Sequence, residues 1–212
     1  MSSSVQYGGN GNTDIIQLLI DSGADTTTAL AHTCSNENYD VCHLFVQSGV
    51  ELNTISYSQL YQIHETSLHM ISRRFSGTAW RICELLILAG ADIDPICNDV
   101  TPLMVAVIQG HISTVQYLLQ HKANFNYQQT TGTTCLHHAA RLGKLDICEL
   151  LYTYVGNVHA VDILGPVHEI RGNPIIEDFL DRKLIELNQM FKRARTDDTD
   201  DKDKDKDKKD NN

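Results

Sequence analysis

"TCLHHAARLGKLDICELLYT", residues 134–153, crowds Cys135, His137, His138 and Cys148 into one short stretch. Such crowding suggests zinc or a thiol nucleophile. A second stretch, "TPLMVAVIQGHISTVQYLLQ" (101–120), begins 33 residues earlier with the same layout but no such cluster. Both open on threonine, run through an apolar segment, break at a glycine (Gly110, Gly143) and resume with apolar residues at helical spacing. The shared layout is what the chain needs twice, so the cysteines and histidines sit on a repeated structural unit.

The repetition extends in both directions. "DIIQLLIDSGAD" (14–25), "DVCHLFVQSGVE" (40–51), "RICELLILAGAD" (81–92), "STVQYLLQHKAN" (113–124) and "DICELLYTYVGN" (146–157) align without gaps. Each carries apolar residues three and four apart, the mark of a half-buried helix. Four are preceded by a shorter apolar segment: "TALAHTC" (28–34), "TSLHMIS" (66–72), "TPLMVAV" (101–107) and "TCLHHAA" (134–140), whose leading threonines stand 38, 35 and 33 residues apart. A period in this range signals stacked supersecondary units. One helix pair cannot bury its own apolar faces, so stability must come from neighbouring pairs.

These segments resemble the ankyrin repeat, whose pattern runs T-P-L-H-x-A-A, then G-H, then an apolar helix ending L-L-x-x-G-A-D. The resemblance covers roughly residues 11–180. It implies an all-α, ankyrin-repeat solenoid of about five repeats, the terminal ones incomplete, each repeat a turn or β-hairpin followed by two antiparallel helices. It also implies that a partner would meet the hairpin tips and the exposed ends of the first helices. In this register those are Asn98, Asp99, Val100, Thr131 and Thr133 at the tips, with Ile108, Gln109, Arg141 and Leu142 on the helices. Physically, each leading threonine can cap its helix through the hydroxyl, and a proline after it loses nothing because that N–H is unpaired anyway.

The departures are specific. Repeat two carries three extra residues between its helices, in "RRFSGTAW" (73–80), and follows a long connection, "NTISYSQLYQIHE" (53–65); both are expected to bulge outward. Residues 1–10 lack apolar spacing and read as a flexible N-terminus. The first repeat is thus half-made: either the chain is a natural truncation, or Ile15, Leu18 and Leu19 are partly uncovered and invite another surface. The array is expected over 11–180, a capping helix over 181–195 and a disordered tail over 196–212, where eight Asp and five Lys leave nothing apolar to bury.

Register resolves the opening cluster. Cys148 shares a column with Cys42, Cys83, Ile16 and Val115, a position that faces the core, where a thiol behaves as a small hydrophobe. Cys135 takes the proline column and Cys34 a small-residue column; Cys97, in the turn after Asp94, is expected to be the accessible thiol. His69 and His137 occupy the histidine position of the resembled pattern, and His168 matches it in the degenerate last unit; there the imidazole is expected to tie turn to helix. His138 lies about 100° further round the helix than His137, so a zinc set of Cys135, His137 and His138 is awkward. Paired ligands at zinc spacing do not occur, and neither does a phosphate loop, nucleophile elbow or HExxH. No metal, cofactor or catalytic residue is expected.

A formal charge of −10 argues against nucleic acid and anionic membranes, both of which demand clustered cations. The longest apolar runs, around 85–89 and 103–108, are of core length, well short of a membrane span. The start has no secretory signal, so a reducing, cytoplasmic setting with free thiols is expected. "KRAR" (192–195) is either a nuclear import patch or a complement to a helix C-terminus. The leading expectation is a non-enzymatic adaptor, scaffold or inhibitor that binds another protein. The chain is expected to be monomeric, with pairing through the incomplete first repeat as the alternative. A fragment or substrate-recognition subunit of a larger signalling or ubiquitin-ligase adaptor is the second reading, and an enzyme with a hidden Cys/His site the third.

Overall fold

Helices form where the repeat pattern places them. The computed structural model describes residues 26–58 and 62–155, together with residues 18 and 22 and parts of a helical run between 174 and 189. The chain divides into two units, residues 1–138 and 139–212.

In the first unit, helix α1 (Thr27–Ser35) is followed by α2 (Tyr39–Gln47), α3 (Ser67–Ser72) by α4 (Ala79–Leu88), and α5 (Pro102–Gln109) by α6 (Ile112–Gln120); α7 (Cys135–Arg141) spans the boundary between the units. The first helices stack on one another, α1 on α3 and α3 on α5, and the second helices do the same, α2 on α4 and α4 on α6. Between the two layers lie Leu30, Cys34, Val41, Cys42, Phe45, Leu68, Ile71, Ile82, Cys83 and Leu86, all buried. Each fully buried leucine or isoleucine contributes about 1.5–3 kcal/mol. Leu86→Ala would cost about 2–5 kcal/mol because the packed layers cannot close over the void.

Helix α5 shows how the sequence sets an element's ends. The Thr101 hydroxyl accepts the Met104 N–H at 3.3 Å, Pro102 occupies the first turn, and Gly110 stops the helix at φ 88°. A left-handed residue there lets the Gly110 and His111 amides close onto Val107 and Ala106. Every residue from Pro102 to Val107 is buried, as befits a helix packed on several sides.

The two insertions differ. The 53–65 connection forms an antiparallel hairpin, β1 (Ser56–Ser58) with β2 (Ile63–Glu65), with Ser56 opposite Glu65. Its Tyr57 is exposed, but Ser56 and Glu65 are buried, so this insertion is partly built into the core instead of bulging free. Arg73 Nη2 meets Glu65 Oε2 at 2.9 Å. The 73–78 segment does bulge outward, and Phe75 is 87% exposed.

In the second unit, α8 (Leu145–Val155) buries Ile147, Cys148 and Leu151. Tyr152 packs edge-on against the buried Phe179 and lies under Lys183 Nζ, 5.1 Å from the ring centre. Residues 181–183, 185–186 and 189 of the expected capping helix are helical. The expected N-terminus, most of the 14–25 helix, His168, "KRAR" and the acidic tail lie outside the described residues. Leu18 is described, and is 70% exposed. Among the described residues no helix is long and apolar enough to cross a membrane.

Candidate protein-binding surface

The Thr and His columns act as one device. Where the fourth position of the unit is histidine, the threonine does not cap the helix: the Thr66 hydroxyl pairs with His69 Nδ1 at 2.9 Å, and that of Thr134 with His137 Nδ1 at 2.8 Å. Where the column holds Met104, the Thr101 hydroxyl reverts to capping the backbone. This corrects the expectation of a threonine cap in every unit. His69 is fully buried, and its Nε2–H donates to the Val100 carbonyl at 3.1 Å, tying one repeat to the next hairpin tip. Burial holds its pKa down at about 4, so it is neutral and Nδ1 accepts from Thr66. Burial also lowers His137. His138, for which the sequence suggested no partner, is buried and bonds Gln129 Oε1 through Nε2 at 2.8 Å. No His, Cys, Asp and Glu group able to hold a metal occurs among the described residues.

All six cysteines are free thiols and buried. Cys34 and Cys42 approach to 3.7 Å between sulfurs, and burial pushes the thiols of Cys83, Cys135 and Cys148 up to about 12. Cys97 is the correction. It is 6% exposed, because its backbone exchanges hydrogen bonds with Val100 across a tight turn, and burial raises its pKa.

That turn forms the tip that follows the 56–65 hairpin. Asn98 and Asp99 both adopt left-handed backbone, φ 52° and 62°, a conformation that asparagine and aspartate tolerate better than most residues. Asn98 Nδ2 donates to the His64 carbonyl at 2.8 Å. The Asp99 carboxylate accepts from the Thr130 amide, the Tyr127 hydroxyl and the Thr130 hydroxyl, each at 2.8 Å, and these bonds depress its pKa. Its carbonyl accepts from Gln129 Nε2 at 2.9 Å, and Gln129 continues to His138. Three successive tips are thus cross-linked by side chains.

Around this ladder, Asn98 and Thr131 are exposed, Asp99, Val100 and Thr133 half-buried, and the Thr131 and Thr133 hydroxyls pair at 2.8 Å. On α5, Gln109 is exposed and Ile108 half-buried, deeper than the exposed isoleucine expected. In the second unit Arg141 is exposed and Leu142 is 46% exposed.

A second ladder was missed by the sequence reading. Behind the second helices, an acid or amide recurs two residues apart: Glu51 and Asn53, Asp92 and Asp94, Asn124 and Asn126. Within each pair the first side chain accepts the amide of the second, at 3.4, 3.0 and 3.0 Å. Between pairs, Asn53 accepts the Asp92 amide at 2.9 Å and Asp94 the Asn124 amide at 3.0 Å. The signal was legible in "ELN", "DID" and "NFN", read only as helix stops.

Stacked helix pairs with laterally bonded tips define a repeat protein. Residues 68–162 match the family model of ankyrin repeats, in three copies, and the chain carries ankyrin repeats. It is 30% identical over 152 residues to the mouse B-cell lymphoma 3 protein homolog, a match covering 65% of this chain and 32% of that protein. It is 32% identical over 139 residues to a putative ankyrin repeat protein of Fowlpox virus (63% and 39%), and 39% identical over 75 residues to human ankyrin repeat and KH domain-containing protein 1 (35% and 3%). The chain therefore spans well under half the length of these relatives. Ankyrin repeats are a general protein–protein interaction module.

Proposed function

We propose that this chain is a non-enzymatic adaptor, scaffold or inhibitor that binds another protein through its hairpin tips and first-helix ends. The observation that carries this reading is the side-chain ladder through Asp99. A ladder of this kind holds the tips in one arrangement before a partner arrives, which lowers the ordering cost of binding. Asn98 and Thr131, both exposed, offer their side chains around it, with Val100 and Thr133 half-covered beside them, while exposed Gln109 and half-covered Ile108 are offered by the C-terminal end of α5. Arg141 and Leu142 are offered separately by the second unit. The array is proposed to run over 11–180, with a cap over 181–195 and solvated ends over 1–10 and 196–212. The protein is proposed to be a cytoplasmic monomer, with "KRAR" as the candidate import patch.

The test uses the full chain as bait in extracts of its own cell. Thr131→Arg with Gln109→Arg adds bulk and charge at exposed positions, so the melting temperature should hold while the principal captured protein is lost. Arg141→Glu, made alone, asks the same of the second unit. A captured set unchanged by both variants would move the partner to another face. The relatives' greater length favours a second reading, in which this array is the recognition part of a larger signalling or ubiquitin-ligase assembly.

A further inference from the structure

Among the serines and threonines of this chain, Ser76 alone has arginine both two and three residues before it, in "RRFS" (73–76). Thr196, behind "KRAR", has arginine three residues before it but alanine two before. Ser76 also lies where the repeat is interrupted. The extra residues between α3 and α4 fall in this segment, so Arg74 and Phe75 have no regular structure, and Ser76 sits in a bend followed by Gly77. The segment is anchored at both ends. Arg73 begins it: its carbonyl accepts from His111 Nε2–H at 3.1 Å, and its guanidinium pairs with the buried Glu65 at 2.9 Å. Thr78 closes it as the N-cap residue of α4. Between the anchors Phe75 is 87% exposed, Gly77 is exposed, and Arg74 and Ser76 are half-buried. Arg74 forms no ion pair among the described residues. Among the described residues the Ser76 hydroxyl bonds inside the bulge, to the Thr78 hydroxyl at 3.0 Å and the Thr78 amide at 3.3 Å. It can therefore turn outward without opening the core.

We propose that Ser76 is a phosphate acceptor for an arginine-directed serine kinase, an enzyme whose substrate groove carries carboxylates for the arginines ahead of the serine. Such charge patterns are how kinases select one hydroxyl among many. Arg74 meets the groove directly, and Arg73 joins by exchanging the Glu65 carboxylate for one of the kinase, one ion pair for another. Ser76 Oγ attacks the γ-phosphorus of ATP. The Oγ–P bond forms, the bond from that phosphorus to the β,γ-bridging oxygen breaks, ADP leaves, and the hydroxyl proton passes to the catalytic aspartate of the kinase. The phosphoserine carries about −1.5 to −2 charge at pH 7. It stands just ahead of α4, where negative charge is tolerated, so the phosphorylated chain stays folded. In the repeats that keep the period this segment is shorter, so the site belongs to the insertion and not to the tips.

The test incubates the folded full chain with labelled ATP and the purified catalytic subunit of a cyclic-AMP-dependent kinase, an enzyme selective for paired arginines, and locates the label by fragment mass. One phosphate per chain should enter, at Ser76, and Ser76→Ala should abolish it. Arg74→Ala should lower kcat/KM about tenfold or more, the loss expected of a hydrogen bond between charged groups. Thr78→Val removes the neighbouring hydroxyl and should leave the label at Ser76. No incorporation into the folded chain, or label at Thr196 or Thr78 with none at Ser76, would overturn the proposal. So would equal rates for the parent and Arg74→Ala, since arginine would then play no part in recognition. Because the fragment masses are read on the parent chain, the site is decided even if a variant melts early.

Discussion

At the scale of single residues, most of what the fold asks is a backbone conformation or a buried proton state. The turn between first and second helices is left-handed, and Gly110 and Gly143 fill it, at φ 88° and 69°. The same column between α1 and α2 holds Glu37, at φ 57°, and the column after the second helix, filled by Gly49 and Gly90, holds Lys122 at φ 67°. A side chain in this region costs about 1–2 kcal/mol, partly offset by the greater freedom glycine has when unfolded. Glu37→Gly and Lys122→Gly should therefore each stabilise by about 0.5–1 kcal/mol in urea melts; a loss would mean that the side chains make contacts worth more than the strain. His69 sets a pH dependence. Its folded pKa, about 4, lies below its unfolded value of about 6.5. The stability it supports is complete above that unfolded value and is lost as pH falls toward the folded one, by roughly 3 kcal/mol in all. His137 shifts the same way, while Glu65 and Asp94, pushed up by burial, titrate in the opposite sense. The contribution is isolated by His69→Met, which copies the Met104 unit: stability at pH 7 should fall, because the Val100 carbonyl loses its donor, and the slope between pH 6.5 and 4.5 should flatten. The thiols give a third check. With all six buried, labelling in the folded state should be slow and should not single out Cys97, whereas denaturant should expose every thiol.

At the scale of elements, the helices were legible because burial repeats with the helical period: Ile82, Cys83 and Leu86 in "RICELL" are buried as the spacing requires. The register also placed Cys42, Cys83 and Cys148 in the core, which dissolved the zinc-like cluster of residues 134–148. What the sequence hid was where side chains bond across repeats. Asn98 and Asp99 read as exposed tip residues, yet their partners, His64, Tyr127, Gln129 and Thr130, lie about thirty residues away, and no local pattern announces a bond of that span. Ile108 failed for a related reason, since helical spacing sets its angle on α5 but not how closely neighbouring elements cover it. The 53–65 hairpin was concealed by being an insertion with no copy to align against. Its anchor is Glu65, 1% exposed in its side chain and bonded by Arg73 Nε and Nη2, both at 2.9 Å. Removing one member of such a pair leaves a buried charge alone. Arg73→Met should cost about 3–5 kcal/mol, and Glu65→Leu added to it should recover most of that loss. If the single variant melts like the parent, solvent reaches Glu65 and the hairpin is not anchored by the pair.

At the scale of the first unit as a whole, stability in a stack is a sum over neighbours, and position in the stack decides how much each helix pair receives. The pair α3–α4 touches a pair on either side: α3 meets α1 and α5, and α4 meets α2 and α6. Breaking it exposes two interfaces at once. Its amides, such as those of Ile71 and Cys83, should therefore exchange with solvent only when the unit unfolds, and α1–α2 should exchange sooner. The tips belong to a separate layer of stability, since their bonds run between side chains and loops outside the helical core. Asp99→Ala removes the acceptor of the Thr130 amide, the Thr130 hydroxyl and the Tyr127 hydroxyl together. It should raise exchange at Thr130 by about tenfold or more while Ile71 and Cys83 stay as slow as before, the mark of local opening without global loss. The same variant should weaken capture of the partner even though Asp99 need not touch it, because binding must then order tips that the parent chain holds ready. If exchange rises at Thr130 but capture is unaffected, pre-ordering of the tips contributes nothing to recognition, and the partner is met by the helix ends alone. If exchange rises throughout α3 and α4 instead, the ladder and the core are a single cooperative structure, and the tips cannot be altered to tune binding without changing the fold's stability.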